Sequence, residues 1–141
     1  IIQILQGLAK AIVKYQDPSS GTWYQVTDQG AREGNYLESS ATALFIYTLA
    51  KAINKGYIGN EYIEPTQKAF DGMVKTFTRL EEDGSYTITN CCAVAGLGGD
   101  SKRYRDGSFE YYISEPIIEN DPKSVGSFIL AAIEYEKMTK K

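Results

Sequence analysis

One predicted helix is apolar on nearly every side, and this feature restricts the fold of the chain more than any other. The pattern covers about residues 37–55, and Gly56 follows it in the position that commonly ends a helix. A helix without a polar face must be enclosed, because exposing an apolar side to water is unfavourable. We therefore expect other helices to surround this one. Its apolar residues are Ala41, Ala43, Leu44, Phe45, Ile46, Leu49, Ala50 and Ile53.

Three further segments have a single apolar side, and the spacing predicts helices over residues 2–15, 61–80 and 122–137. Pro18 follows the first, Pro65 lies in the first turn of the second, and Asp121-Pro122 begins the third. These are favoured positions for proline and for a capping aspartate at helix ends. The predicted buried stripes are Ile2, Leu5, Ala9, Ile12 and Val13; Ala69, Phe70, Met73, Val74, Phe77 and Leu80; and Val125, Phe128, Ile129, Ala132 and Ile133.

Three connecting segments share a glycine, a hydroxyl residue and an aromatic: 21–23, 84–86 and 107–109. Helices that alternate with such loops are typical of stacked helical hairpins, and three ordinary turns are the alternative. We interpret the chain as all-α, an incomplete toroid of helical hairpins with about four long helices and short strands in the loops. A ring of six helix pairs needs roughly 200–280 residues at about 34–47 residues per pair. We therefore expect these 141 residues to form part of a larger array.

The composition excludes several kinds of site and partner. The chain has no His, and its two Cys residues, Cys91 and Cys92, are adjacent. Ser-His-Asp triads and histidine-based zinc or iron centres are therefore excluded. A net charge of −3 with scattered charges argues against nucleic-acid binding. No apolar run reaches the roughly 18 residues of a membrane span. Cytoplasmic and periplasmic locations both stay open.

Two loop segments concentrate side chains that could recognise a ligand. In the first, residues 21–40, aromatic rings can stack on sugars, and a guanidinium can bind a carboxylate with two parallel hydrogen bonds. This combination indicates recognition of an acidic sugar. The alternative is that Trp23 and Tyr36 fill the core and that Arg32 pairs with Glu33 or Glu38. The polar and aromatic residues of this loop are Trp23, Tyr24, Gln25, Asp28, Arg32, Asn35, Tyr36 and Glu38.

The second loop segment, residues 103–116, combines arginines, acids and tyrosines. Asp106, Glu110 and Glu115 could act as general acids if burial raised their pKa values, and solvation or ion pairing is the alternative. The preceding run Gly96-Leu97-Gly98-Gly99-Asp100 lacks the Lys-Ser/Thr of a phosphate loop. We interpret it as a flexible connector.

Several motifs together resemble one enzyme family. They are G-T-W-Y-Q-V-T-D, R-E-G-N-Y-L-E-S-S-A, V-A-G-L-G-G, R-D-G-S-F-E-Y-Y-I-S-E-P and N-D-P-K-S-V-G-S-F-I-L-A, in this order. The combination is similar to the unsaturated rhamnogalacturonyl hydrolases, glycoside hydrolase family 105. The resemblance implies an (α/α) six-hairpin barrel, with residues 1–141 as its C-terminal portion, and a role in bacterial pectin degradation.

The resemblance also implies roles for individual residues. Arg32 falls on the family's arginine for the sugar carboxylate, and Tyr36 on an aromatic platform, whereas Gly30 stands where the family has an aromatic. Many members have Tyr-His where this chain has Tyr24-Gln25, and glutamine cannot titrate. One tyrosine of the Tyr111-Tyr112 pair is expected to face the substrate. The implied substrate-binding residues are Trp23, Gln25, Arg32, Tyr36, Tyr111 and Tyr112.

The mechanism implied by the resemblance is hydration of a double bond, for which we expect neither a metal nor a cofactor. A single aspartate protonates the C4=C5 bond of an unsaturated uronic acid, water adds at C5, and the hemiketal collapses to release the sugar. That aspartate lies in the family's N-terminal half, so we expect no catalytic residue in this chain and no activity from it alone. One alternative is a non-catalytic module that binds acidic glycans or is purely structural, and that self-associates or pairs with the missing half. The other alternative is a six-hairpin glycosidase of other specificity.

Overall fold

The computed structural model describes residues 1–30, 32–99 and 104–140, and within them the fold is mostly helical. A 3-10 turn, Asn60–Tyr62, precedes α3, and four short strands form two antiparallel pairs, β1 with β2 and β3 with β4. The prediction of a helical fold with short strands in its connections is confirmed. The elements are α1 Ile2–Lys14, α2 Ser39–Asn54, α3 Ile63–Phe77, β1 Thr78–Leu80, β2 Tyr86–Ile88, β3 Cys91–Cys92, α4 Phe109–Ser114, β4 Ile117–Ile118 and α5 Pro122–Thr139.

The helix ends follow the residues that favour them. The Asp121 side chain accepts a hydrogen bond from the Lys123 backbone N–H at 2.8 Å, and Pro122 occupies the first turn of α5. At the C-terminal end of α2, Gly56 adopts a φ of 69° directly after the capping residue Lys55. Only glycine enters this left-handed region without steric cost, so α2 ends there.

The predicted third helix is too long at its C-terminal end. Residues 61–80 were expected to be helical, but α3 ends at Phe77 and Thr78–Leu80 forms β1. Leu80 continues the helical spacing in sequence, yet it pairs with Tyr86 in the β1–β2 hairpin and is largely exposed. Gly84 turns the chain at a φ of 84°. The hairpin satisfies the backbone polar groups of this segment in place of another helical turn.

Helix α4 is absent from the predicted elements. Gly107 has a φ of 77°, the Ser108 hydroxyl accepts a hydrogen bond from the Tyr111 N–H at 3.1 Å, and Asp106 accepts one from the Ser108 N–H at 2.8 Å. These bonds cap a six-residue helix, which is too short to produce a readable period. The glycine–hydroxyl–aromatic motif therefore begins a helix here, whereas at residues 84–86 it leads into a strand.

Helix α2 lies at the centre of the packing and contacts both α3 and α5. Ile46 and Leu49 are fully buried, together with Ala9 of α1 and Met73 of α3. The expected enclosure is incomplete, however, because Leu44 is 48% exposed. The described elements cover all but one side of α2.

The predicted apolar stripe of α5 is confirmed for Phe128, which packs against the core, and wrong for Ile129 and Ile133. The side of α5 that faces the core carries Ser124, Ser127, Ala131 and Met138, while Ile129, Leu130 and Ile133 are about half exposed. The hydroxyls of Ser39 and Ser124 approach to 2.8 Å where α2 and α5 meet. Small residues allow this close approach, whereas a stripe of branched side chains would hold the helices apart.

Helix α1 also presents apolar residues outward. Ala9 and Ile12 are buried as predicted, but Ile4 and Leu8 are exposed, and Ile2 from the predicted stripe is half exposed. None of the helices in the described part of the chain combines the length and apolar character that a membrane crossing requires.

Gly72 gives a stability prediction whose sign is opposite to the usual one for a helical glycine. Glycine in a helix normally costs about 0.5–1 kcal/mol relative to alanine. At Gly72, however, a Cβ would collide with the backbone carbonyl of Ser20. We expect Gly72→Ala to lower the free energy of unfolding by about 1–3 kcal/mol. Gly7→Ala and Gly126→Ala, where a Cβ meets nothing within 4 Å, should raise it. Urea denaturation measures all three, and a stabilised Gly72→Ala variant would contradict the packing described.

Trp23 gives a second prediction, because it is the only tryptophan and is fully buried. Its indole N–H donates to the Ile12 carbonyl at 2.7 Å, and its ring meets Phe45 edge-on at 5.3 Å. We expect blue-shifted fluorescence that iodide quenches poorly. Trp23→Phe should cost about 1–3 kcal/mol through the lost hydrogen bond and volume. Red-shifted emission with ready quenching would place the ring in solvent instead.

Candidate functional site

Asn35 holds the first loop segment in shape. Its amide N–H₂ donates to the carbonyls of Val26 at 2.9 Å and Gln29 at 2.8 Å, and its oxygen accepts from the Val26 N–H at 3.2 Å. One side chain thus replaces the backbone pairing that a loop lacks. The loop is closed at its base by a single bridge between Tyr24 and Leu37. The sequence indicates only that Asn35 belongs to this loop, because its bonding partners are set by the folded loop.

Glu38 joins this loop to the start of α2 and to β3. The carboxylate is 1% exposed and accepts hydrogen bonds from the backbone N–H groups of Ala41 at 2.6 Å and Cys92 at 3.0 Å. The Ser40 hydroxyl donates to it as well. A carboxylate at a helix N-terminus is stabilised by the exposed N–H groups and the helix dipole. Glu38 is therefore a structural anchor and not a partner of Arg32.

Trp23 and Tyr36 differ in their position. Trp23 lies in the core and is fully buried, so neither face of its ring is accessible to a sugar. This supports the core alternative for Trp23. Tyr36 is half-buried, and its hydroxyl points inward. Burial and the neighbouring Cys92 thiol raise the pKa of Tyr36, so its phenol stays protonated.

Gln25 also contacts the Cys92 thiol. Its amide N–H₂ donates to the Cys92 sulfur at 3.2 Å, and its backbone N–H donates to the Tyr36 carbonyl at 2.8 Å. Gln25 and Tyr36 are therefore close together, and both lie next to Cys92. Both cysteines are free and buried, and burial raises the pKa of the Cys91 thiol.

Arg32 connects the two loop segments. Its guanidinium lies 3.8 Å from the centre of the Phe109 ring, donates to the Gln29 side-chain oxygen at 2.8 Å, and forms an ion pair with Glu110. Pairing with Glu33 or Glu38 was the expected alternative, and the observed partner is instead 78 residues away in sequence. The first turn of α4 thus provides both a flat surface and a carboxylate for the same arginine.

The two tyrosines of α4 have different surroundings. The Tyr111 hydroxyl accepts a hydrogen bond from the Gly96 N–H at 3.1 Å, which ties α4 to the glycine-rich connector. Burial and a hydrogen bond with Glu115 raise the pKa of Tyr111. The ring of Tyr112 lies 5.0 Å from that of Tyr111, tilted by 51°. Both tyrosines are half-buried. Arg103, at the start of this loop segment, lies outside the described residues.

Of the candidate acids, Asp106 does not meet the condition for a general acid. Hydrogen bonds from the Ser108 backbone and hydroxyl lower the pKa of Asp106, whereas a general acid needs a raised one. Glu110 is exposed and paired with Arg32, and Glu115 is buried beside Tyr111. Within residues 1–30, 32–99 and 104–140, no group of three His, Cys, Asp or Glu residues could hold a metal ion.

A cavity of about 330 Å³ lies beside the first loop and is bordered by Tyr15, Tyr24, Asp28 and Gly30. The ring of Tyr24 lies so close to Gly30 that a Cβ there would approach it to 2.8 Å. The space that a side chain at position 30 would need is therefore occupied by the Tyr24 ring. Tyr24 was expected among the polar and aromatic residues of the loop, but its contact with Gly30 could not be predicted from the sequence.

Comparison with solved structures identifies similar folds. A glycoside hydrolase of family 105 from C. acetobutylicum ATCC 824 matches with a TM-score of 0.92 and 45% identity, over 96% of this chain and 37% of that chain. A possible family 105 member from Klebsiella pneumoniae matches with a TM-score of 0.76 and 27% identity, over 99% of this chain and 31% of that one. The predicted kinship with family 105 is confirmed.

Two curated relatives match this chain at the level of sequence. Protein Atu3128 of Agrobacterium fabrum is 37% identical over 119 residues, and the 24.9 kDa protein in the picA locus of Rhizobium radiobacter has the same identity over the same length. The alignment covers 82% of this chain and 51% of each relative. The chain therefore spans about half the length of the curated relatives it matches.

The third comparison is with models of protein families. The model described as Glycosyl Hydrolase Family 88 matches residues 1–139. This match includes both loop segments, the residues Arg32 and Glu110, and the five α-helices in the described part of the chain. The chain belongs to Glycosyl Hydrolase Family 88.

Proposed function

We propose that the chain is part of a hydrolase that acts on pectin-derived oligosaccharides ending in an unsaturated uronic acid. The reaction would be hydration of the C4=C5 double bond, followed by collapse of the hemiketal and release of the neighbouring sugar. Family membership supports hydrolysis of a glycoside in general. The preference for rhamnogalacturonan fragments and the double-bond chemistry rest on the resemblance of the loop motifs.

The observation that carries the proposal is the environment of Arg32. Its guanidinium is stacked on Phe109 and oriented by Gln29, and it already binds a carboxylate, that of Glu110. An arginine held flat in this way presents parallel N–H groups in a fixed plane, which suits the two oxygens of a uronic acid carboxylate. The site is therefore suited to an acidic sugar more than to a neutral one.

The neighbouring residues have proposed supporting roles. Gln25 and Tyr36, on either side of Cys92, would line the sugar site. Of the tyrosine pair, we assign the substrate contact to Tyr112, because the Tyr111 hydroxyl is engaged by Gly96 and Glu115. Trp23 supports the loop from the core and is assigned no contact with substrate.

The catalytic aspartate is proposed to lie outside the described residues, in the rest of an (α/α) six-hairpin barrel of which residues 1–141 are the C-terminal portion. Hydrogen bonds lower the pKa values of Asp83, Asp106 and Asp121, which cap turns or helices and therefore hold their protons weakly. The exposed apolar residues of α1 and α5 fit pairing with the remaining helices of such a barrel, or self-association.

A second candidate is a module that binds acidic glycans without chemistry. The lowered pKa values of the capping aspartates favour it for this chain taken alone. The two candidates share the Arg32 site and differ only in whether a general acid completes it. Binding and turnover therefore test them separately.

Arg32→Ala tests the binding site that both candidates require. Charged hydrogen bonds contribute about 1.5–3 kcal/mol, so we expect affinity for trigalacturonate to fall about tenfold or more by calorimetry. Arg32→Lys keeps the charge but loses the planar donor pair, and it should recover only part of the affinity. The matched control is Arg79→Ala, which breaks a bidentate pair with Glu119 at 2.7 and 2.8 Å outside the site. Equal affinity of the Arg32→Ala variant would remove Arg32 from the site.

Turnover by the chain alone is the second test. We expect no loss of the ultraviolet absorbance of an unsaturated galacturonyl-rhamnose disaccharide, because no general acid is assigned to the described residues. Binding without turnover is the expected result. Measurable hydration would mean that a catalytic acid lies within these 141 residues, and the assignment above would be wrong.

A further inference from the structure

We propose that Glu110 is a specificity-determining residue that competes with the carboxylate of an acidic sugar for Arg32. This inference rests on the proposed function, since it assumes that Arg32 is the carboxylate-binding group. It adds a residue that sets how tightly anionic sugars bind, and therefore which ones are accepted.

Two of the residues that contact Arg32 position its guanidinium, and a third takes up one of the hydrogen-bond donors that a ligand would use. Phe109 supports the guanidinium from its flat side, at 3.8 Å from the ring centre, and Gln29 accepts from one terminal nitrogen at 2.8 Å. Glu110 binds the other terminal nitrogen. A uronic acid carboxylate that binds the outer edge of the guanidinium with two hydrogen bonds needs both terminal nitrogens, including the one that Glu110 holds.

The charge of Glu110 makes it a competitor more than a support. A sugar carboxylate next to Arg32 would lie within a few ångströms of a second negative charge, and like charges at this distance repel. Both partners are accessible to solvent, with side-chain exposures of 46% for Arg32 and 69% for Glu110. Exposed ion pairs are weak, so a ligand can displace Glu110 at small cost.

Phe109 and Glu110 are adjacent residues in the first turn of α4, and their roles are separable. Replacing the charge of Glu110 leaves the stacking surface and Gln29 in place. Glutamine at position 110 keeps an oxygen that can accept from the guanidinium and removes only the negative charge. Glu110→Gln is therefore the variant that isolates competition.

The experiment compares wild type, Glu110→Gln, Glu33→Gln and Arg32→Ala by calorimetry. The probes are trigalacturonate and its fully methyl-esterified, uncharged form. We expect Glu110→Gln to bind trigalacturonate about two- to fivefold more tightly, the range that exposed ion pairs span. The gain should shrink at high salt and be absent with the methyl ester. Glu33→Gln removes one negative charge from the loop that carries Arg32 but leaves the Arg32–Glu110 ion pair intact. This variant should bind trigalacturonate like wild type. Circular dichroism checks that each variant is folded.

Each outcome decides between the claims. If Arg32→Ala weakens binding and Glu110→Gln binds trigalacturonate no more tightly than wild type, competition by Glu110 is overturned and the proposed site stands. An equal gain in Glu33→Gln, or with the methyl ester, also overturns it, because the effect is then not specific to the ion pair. If wild type does not bind, or Arg32→Ala binds equally well, the proposed site fails and the inference fails with it.

Discussion

The buried carboxylate of Glu38 is the interaction on which the rest of the structure depends. It caps α2 through the Ala41 N–H and holds β3 through the Cys92 N–H, so one side chain fixes the central helix relative to the sheet beside it. The next residue, Ser39, donates its N–H to the Asn90 carbonyl at 3.0 Å and pairs its hydroxyl with Ser124 of α5. A buried charge is tolerated only when it is hydrogen-bonded, and here one helix N–H, one strand N–H and a hydroxyl provide those bonds.

The candidate site follows from this anchor. The loop that carries Gln25 and Arg32 ends at Glu38, and Cys92, which binds Glu38 through its backbone, contacts Gln25 through its sulfur. On the other side of the site, α4 is fixed by its own serine cap and by the bond from the Gly96 N–H to Tyr111. The Arg32–Glu110 pair closes the gap between two loops whose shapes are already determined. Preorganisation of this kind reduces the entropy that a ligand must overcome on binding.

The sequence predicts those features of the fold that depend on neighbouring residues. Asp121 and Gly56 mark helix ends because capping and left-handed backbone are local properties. The buried face of α5 could not be predicted in the same way. Its serines and alanine face α2 because the two helices approach closely, and that distance depends on the partner helix. The predicted end of α3 was wrong for a similar reason. The residues Thr78–Leu80 pair with β2, although the helical spacing of apolar residues continues to Leu80 in the sequence.

For the site, residue chemistry could be predicted and partners could not. An arginine among aromatic residues indicates carboxylate binding, but its ion-pair partner lies 78 residues away and is brought near only by folding. Trp23 illustrates the converse: a tryptophan in a glycine-rich loop suits a sugar platform or a core position, and only its hydrogen bond to Ile12 and its burial decide for the core.

Chemical-shift mapping by NMR can decide whether the two loop segments form one carboxylate-binding site around Arg32. On titration with trigalacturonate, we expect the largest shifts at Arg32, Phe109 and Glu110, and no change at the Trp23 indole N–H. Shifts confined to the exposed faces of α1 and α5, or a large shift of the Trp23 indole, would contradict it.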